Sequence, residues 1–94
     1  MAADTETRAT WLDGNAIAGL LVELFGMEMT AVDRGCGVCG THSAVGAHRL
    51  YRGAGAVLRC PACGDVALRI VTLSDRHVVQ LRGSWLLDVP AASG

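Results

Sequence analysis

Apolar positions recur along this chain with two different periods, and the change of period divides it. Between residues 14 and 25, Ile17, Leu20, Leu21 and Leu24 stand at i, i+3, i+4 and i+7, the stripe of an amphipathic helix laid on a core. Asp13 ahead of it is an N-cap residue type, and Gly26 behind it suits the left-handed stop of a helix. Ala16, Gly19 and Glu23 fall on the other side, so the helix reads as a cover over a core. Trp11 or Leu12 is placed to fold back on its first turn as a hydrophobic staple. After residue 26 the pattern turns to short runs of β character, with strands expected over 27–32, 47–52, 56–60, 65–73, 77–82 and 85–89. Residues 41–46 carry no clear pattern. Val66, Leu68 and Ile70 should share a face with Arg69 opposite, and Trp85, Leu87 and Val89 should cluster. Turns are expected at Gly53-Ala54-Gly55, Ser74-Asp75-Arg76 and Gly83-Ser84, and Pro90 should end the last strand. Residues 1–10 read as a flexible polar leader and 91–94 as a tail. The expected class is α+β, mostly β: one domain over 11–90, with an N-terminal helix followed by an antiparallel meander.

Composition narrows what such a chain can be. Ninety-four residues bury only a small core, and a domain of that size is helped by a covalent or metal staple. No apolar run is long enough to span a bilayer, since 16–25 is interrupted by Gly19 and Glu23. No secretory leader precedes the domain, so a cytoplasmic location is expected. The net charge of −1 conceals a division. Residues 1–33 hold six acids and one arginine, whereas 34–82 hold seven arginines and two acids, with no lysine anywhere. The acidic third could fold against the basic part, bringing Glu23 and Glu28 near its arginines. Alternatively, the arginines could meet an anionic partner.

The four cysteines are the strongest chemical signal. Cys36-Gly37-Val38-Cys39-Gly40 and Cys60-Pro61-Ala62-Cys63-Gly64 are two C-x-x-C-G hooks, with twenty residues between Cys39 and Cys60. Two intervening residues let both thiolates of a hook reach one ion, and the glycine after the second allows the positive φ that turns the chain away. Disulfides would need an oxidising compartment, and a redox pair needs only one such motif in a strand–helix context. Cys36, Cys39, Cys60 and Cys63 are therefore expected to hold one metal ion per chain, Zn2+ first, with iron also suited to four sulfurs. His42 follows Cys39 at the same spacing and is a substitute ligand. Arg34 and Arg59 lie close enough in sequence to offset the negative charge of four thiolates. His48 and His77 read as satisfied or solvent-edge side chains.

The hooks resemble those of rubredoxins, whose single iron carries electrons, although the acidic and aromatic surroundings of that family are missing here. Over residues 11–90, the order of Leu12-Asp13-Gly14-Asn15-Ala16 helix, C-x-x-C, long hairpin, C-P-x-C and arginine-bearing strands resembles a family of small uncharacterised actinobacterial zinc-ribbon proteins. That resemblance implies a zinc ribbon with two zinc knuckles and no activity to carry over. A site filled by four protein thiolates has no position for water or substrate, and no nucleophile–base pair stands out elsewhere, so no enzyme is expected. The expected function is a non-enzymatic zinc-ribbon module acting through a protein partner. An RNA- or ribosome-binding ribbon is the alternative, and a rubredoxin-like electron carrier the third reading. Protein is preferred to nucleic acid because the arginines look dispersed and stacking aromatics are few.

Overall fold

In the computed structural model, which describes residues 12–53, 55–89 and 91, the helical stripe folds in two pieces. Gly14–Ile17 is a 3-10 helix and Ala18–Phe25 is the α-helix α1. The break falls at Ile17, with φ −112° and ψ 23°. Ile17 and Leu21 are fully buried, Leu20 and Leu24 pack beside them, and Ala16, Gly19 and Glu23 are exposed. Gly26 ends α1 in the left-handed conformation, its N–H donating to the Val22 carbonyl at 2.7 Å. Asp13, however, makes no side-chain cap bond. Leu12–Asp13 is instead a two-residue strand, β1, and the orphan Gly14 N–H donates to the His48 carbonyl at 2.8 Å. A tertiary acceptor has taken over the work of a cap.

The strands form two antiparallel sheets. The larger one has the order β1, β4 (Arg49–Arg52), β5 (Gly55–Arg59), β6 (Val66–Thr72) and β7 (His77–Leu81), so β4 to β7 are the expected meander. In the second, β2 (Asp33–Gly35) lies between β3 (His42–Ala44) and β8 (Ser84–Leu86). The chain is thus α+β, mostly β. Leu50, Ala56, Leu58, Leu68 and Ile70 on the inner face of the large sheet pack with Ile17, Leu21, Met29, Val32 and Val45 to make the core.

Several expectations about the strands need correction. Residues 27–32 form no strand, because Glu28 turns its carboxylate back on its own loop. Oε1 accepts from the Thr30 N–H and hydroxyl, each at 2.6 Å, and from the Ala31 N–H at 3.2 Å. Local side-chain acceptors of this kind compete with ladder bonds. The same bonds, led by that of the Thr30 hydroxyl, hold the Glu28 carboxyl below its ordinary 4.5. A depressed carboxyl stabilises the turn above that ordinary value and stops doing so as the pH falls through its folded one. Glu28→Gln, which mimics protonation, should shift the Thr30 and Ala31 amide resonances at neutral pH and leave the cysteine-hook amides in place.

The last strand also departs from expectation. It covers only Ser84–Leu86 and crosses to the second sheet, pairing Trp85 with Arg34. Leu87 and Val89 are exposed, so only Trp85 joins the core. Gly83 makes the crossing possible at φ 84°, where a Cβ would sit 2.5 Å from the Gly35 carbonyl oxygen. In β6 the expected stripe is interrupted. Arg59 pairs with Val66 and Leu58 with Leu68, leaving Ala67 as the extra residue of a bulge. Leu68 and Ile70 face the core, and Val66, which is also buried, stands opposite Arg59 across the bulge. The unassigned stretch becomes β3 followed by a 3-10 turn over Val45–Ala47. The leader, the Trp11 staple, Ala54 of the hairpin turn, the Pro90 stop and residues 92–94 of the tail lie outside the described residues.

Candidate metal centre

Each cysteine hook is built by the same set of backbone bonds. At the first, the Cys36 N–H donates to the Thr41 carbonyl at 2.9 Å, and the Gly40 N–H donates to the Cys36 carbonyl at 3.0 Å. At the second, Cys60 N–H to Asp65 carbonyl is 2.8 Å and Gly64 N–H to Cys60 carbonyl is 2.9 Å. Gly40 and Gly64 take φ of 77° and 84°, the left-handed turn that the motif requires. The two loops are repeats of one another, one set by β2 and β3 and the other by β5 and β6.

This repetition brings all four sulfurs together. The Sγ atoms lie within 4.8 Å of one another, with Cys36–Cys63 at 3.6 Å and Cys39–Cys60 at 3.7 Å. A tetrahedron with metal–sulfur bonds of ~2.3 Å has edges of ~3.8 Å, so four thiolates at this spacing could hold one metal ion. Amide groups support the negative sulfurs. Val38 and Cys39 N–H donate to Cys36 Sγ at 3.4 and 3.5 Å, Ala62 N–H to Cys60 Sγ at 3.4 Å, and Asp65 N–H to Cys63 Sγ at 3.5 Å.

Electrostatics divides the thiols. The Cys39 and Val38 N–H groups lower the Cys36 thiol to about 6. The Thr41 hydroxyl and N–H lower Cys39 as well. Cys63 receives an Asp65 N–H that pulls it down, yet lost hydration and the sulfurs of Cys36, Cys39 and Cys60 push it up to about 12. Four thiolates crowded this closely repel one another, and a cation is what allows the last of them to ionise.

The flanking residues divide as well. Arg59 does lie at the hook, donating from Nη1 to the Gly64 carbonyl at 3.0 Å while its guanidinium sits over the Tyr51 ring, 5.7 Å from the centroid. Arg34 points elsewhere. It is only 1% exposed, donates from Nε to the Arg82 carbonyl at 2.9 Å, and reaches His48 Nε2 from Nη1 at 3.3 Å. An arginine can only donate, so His48 Nε2 accepts and its Nδ1–H donates to the Ala44 carbonyl at 2.9 Å. Burial, followed by the Arg34 charge, keeps this histidine neutral by lowering its pKa. The buried Arg34–His48 pair is the feature that sequence reasoning missed, since the two residues stand fourteen positions apart and no local pattern pairs a guanidinium with a neutral imidazole.

His42 does not join the sulfurs. Its Nδ1 donates to Asp33 Oδ2 at 2.6 Å, and its ring lies across Gly35, where a Cβ would be 2.9 Å from Cε1. His77 stays at the β6–β7 turn, 2.9 Å from the Thr72 hydroxyl. The expected compensation between the acidic third and the arginines is not made by Glu23 or Glu28, which is tied to its own turn. Acid–arginine pairs among the described residues include Asp75–Arg76 at 3.4 Å and Asp65–Arg82 at 3.7 Å, while Asp33 accepts the His42 hydrogen bond. No helix among the described residues is long and apolar enough to cross a membrane.

A family model described as a family of unknown function, DUF6510, matches residues 5–92. No curated protein and no solved structure matches the chain.

Proposed function

We propose that this chain, which belongs to that family, is a non-enzymatic zinc ribbon whose metal is structural and whose exposed surface engages a macromolecular partner. The observation that carries the reading is the closure of the site: Cys36, Cys39, Cys60 and Cys63 supply four sulfurs at tetrahedral spacing. An ion bound by all four has no open position for water or substrate, so the cluster suits a staple better than a catalyst. A site of four metal-bound thiolates also suits a reducing cytoplasm. Zinc is preferred to iron because, among the described residues, the aromatics are engaged elsewhere: Tyr51 lies under the Arg59 guanidinium, and Trp85 donates from Nε1 to the Arg82 carbonyl at 2.8 Å.

Elemental analysis of the purified protein should give one zinc per chain and no visible absorption. Cys60→Ser should lower the zinc content well below one. A coloured protein would move the reading to an iron centre, and full zinc occupancy in the variant would remove Cys60 from the ligand set. Affinity capture with and without nuclease treatment would then sort protein from nucleic-acid partners.

A further inference from the structure

The outer face of the large sheet gathers the arginines that look dispersed in the sequence. Residues paired directly across antiparallel strands share a face. Arg49 pairs with Arg59, Tyr51 with Val57, Val57 with Arg69, and Gly55 with Val71. Because Leu50, Ala56, Leu58, Leu68 and Ile70 face the core, the outer face of β4–β6 carries Arg49, Tyr51, Gly55, Val57, Arg59, Arg69 and Val71. On β7 the same side continues with Val78 and Gln80. No residue of β4 to β7 is an acid, and among the described residues Asp13 of β1, paired with Arg49, stands at the margin of this face.

Within that basic face lies a groove of about 310 Å3, walled by Tyr51, Val57, Arg69 and Val71, with Arg52 at its end. Gly55 leaves it open, and nothing larger fits there, since a Cβ on Gly55 would strike the Ile70 carbonyl oxygen. Gly55 and Arg59 flank Val57 on the strand facing Tyr51. The tyrosine ring therefore has a guanidinium on one side and the groove on the other.

We infer that this face binds single-stranded nucleic acid, with a base entering the groove against Tyr51 and the backbone phosphates following Arg59 and Arg69. Three features choose this occupant. Its charge complements the face, a flat aromatic ligand fits a slot between a tyrosine and an arginine, and stacking on such side chains is tolerant of base identity. A duplex is disfavoured because this side is a sheet surface, with no helix or long loop among the described residues to enter a groove. The inference rests on the reading of the chain as a metal-stapled binding module.

The test is fluorescence anisotropy with a labelled 15-nucleotide oligouridine and the metal-loaded full chain. Neutralising about two phosphates, at Arg59 and Arg69, gives a slope near −1.4 in log K against log salt for a single strand, so binding should weaken roughly sevenfold between 50 and 200 mM salt. Arg69→Glu should weaken binding at least about tenfold, and Tyr51→Ala about fivefold or more, the lower end of one lost base stack. Arg76→Glu makes the same charge change in the hairpin turn, beside Asp75, and should leave binding within about threefold. An abasic sugar-phosphate chain of equal length should bind more weakly and ignore Tyr51→Ala. Metal content is measured in every sample. Loaded protein that fails to bind at 50 mM salt, binds polyglutamate equally well, or is indifferent to Arg69→Glu overturns this proposal and leaves the ribbon reading standing. Protein isolated without metal tells against the ribbon reading itself.

Discussion

Stripping the metal from the four cysteines is expected to unfold most of this chain. Structural zinc contributes on the order of 10–16 kcal/mol in small peptides, against a net stability of ~5–15 kcal/mol for a whole domain. Here the site joins the two sheets. One hook belongs to β2 and β3, the other to β5 and β6, and without a cation the four crowded sulfurs resist ionisation together. The core that remains is small, with no buried residue among those described larger than Met29 or the leucines in its apolar cluster. A chelator should therefore collapse the amide dispersion of an NMR spectrum and abolish the near-ultraviolet signal of Trp85, and restored zinc should return both. Dispersion unchanged in metal-free protein would show that the hydrophobic core alone carries the fold.

The second large effect is expected at Arg34. Its buried guanidinium ties the second sheet to the β7–β8 crossing through the Arg82 carbonyl, which also accepts from Trp85 Nε1. Arg34→Ala would remove two charge-assisted bonds, leave His48 Nε2 buried without a donor, and open a cavity beside Gly83. Losses of ~1–3 kcal/mol for each orphaned buried group and a further cavity contribution suggest a total of about 3–5 kcal/mol. Urea unfolding of zinc-loaded protein at fixed free zinc measures it. Arg34→Met with His48→Leu, which removes both polar partners while filling the space, should cost less than the two single changes added together. Additive costs would mean that the Arg34–His48 contact contributes nothing of its own. Arg34 Nη2 is buried and has no hydrogen-bond partner among the described residues, so part of the guanidinium's desolvation is uncompensated. The apolar double variant removes that cost as well.

The two hooks were legible because their chemistry is local. C-x-x-C followed by glycine specifies a turn, a pair of neighbouring sulfurs and a left-handed residue within five positions, and the turns, the sulfurs and the glycines stand where the motif put them. The helix was legible for a similar reason, through its apolar spacing and Gly26, and so were the hairpins joining β4 to β7. The strand expected over residues 27–32 was misread because hydropathy there outweighed a carboxylate able to bind its own backbone. Asp13 was misread because its neighbour's N–H found an acceptor at His48, thirty-four positions along the chain.

What the sequence determined by itself is therefore the helix, the β4–β7 hairpins and the set of four cysteines that could hold a metal ion, each encoded in runs of a few residues. Tertiary structure alone decided how the elements were apportioned between two sheets. The β8 crossing depends on Gly83 passing the Gly35 carbonyl and on Arg34 reaching Arg82 across forty-eight positions. It decided the distribution of charge too. Arg49, Arg59 and Arg69 are ten residues apart in sequence, and only the register of β4, β5 and β6 sets them on one face beside Tyr51. Register follows from which apolar residues bury together, including the bulge at Ala67, and no local pattern of charges records it.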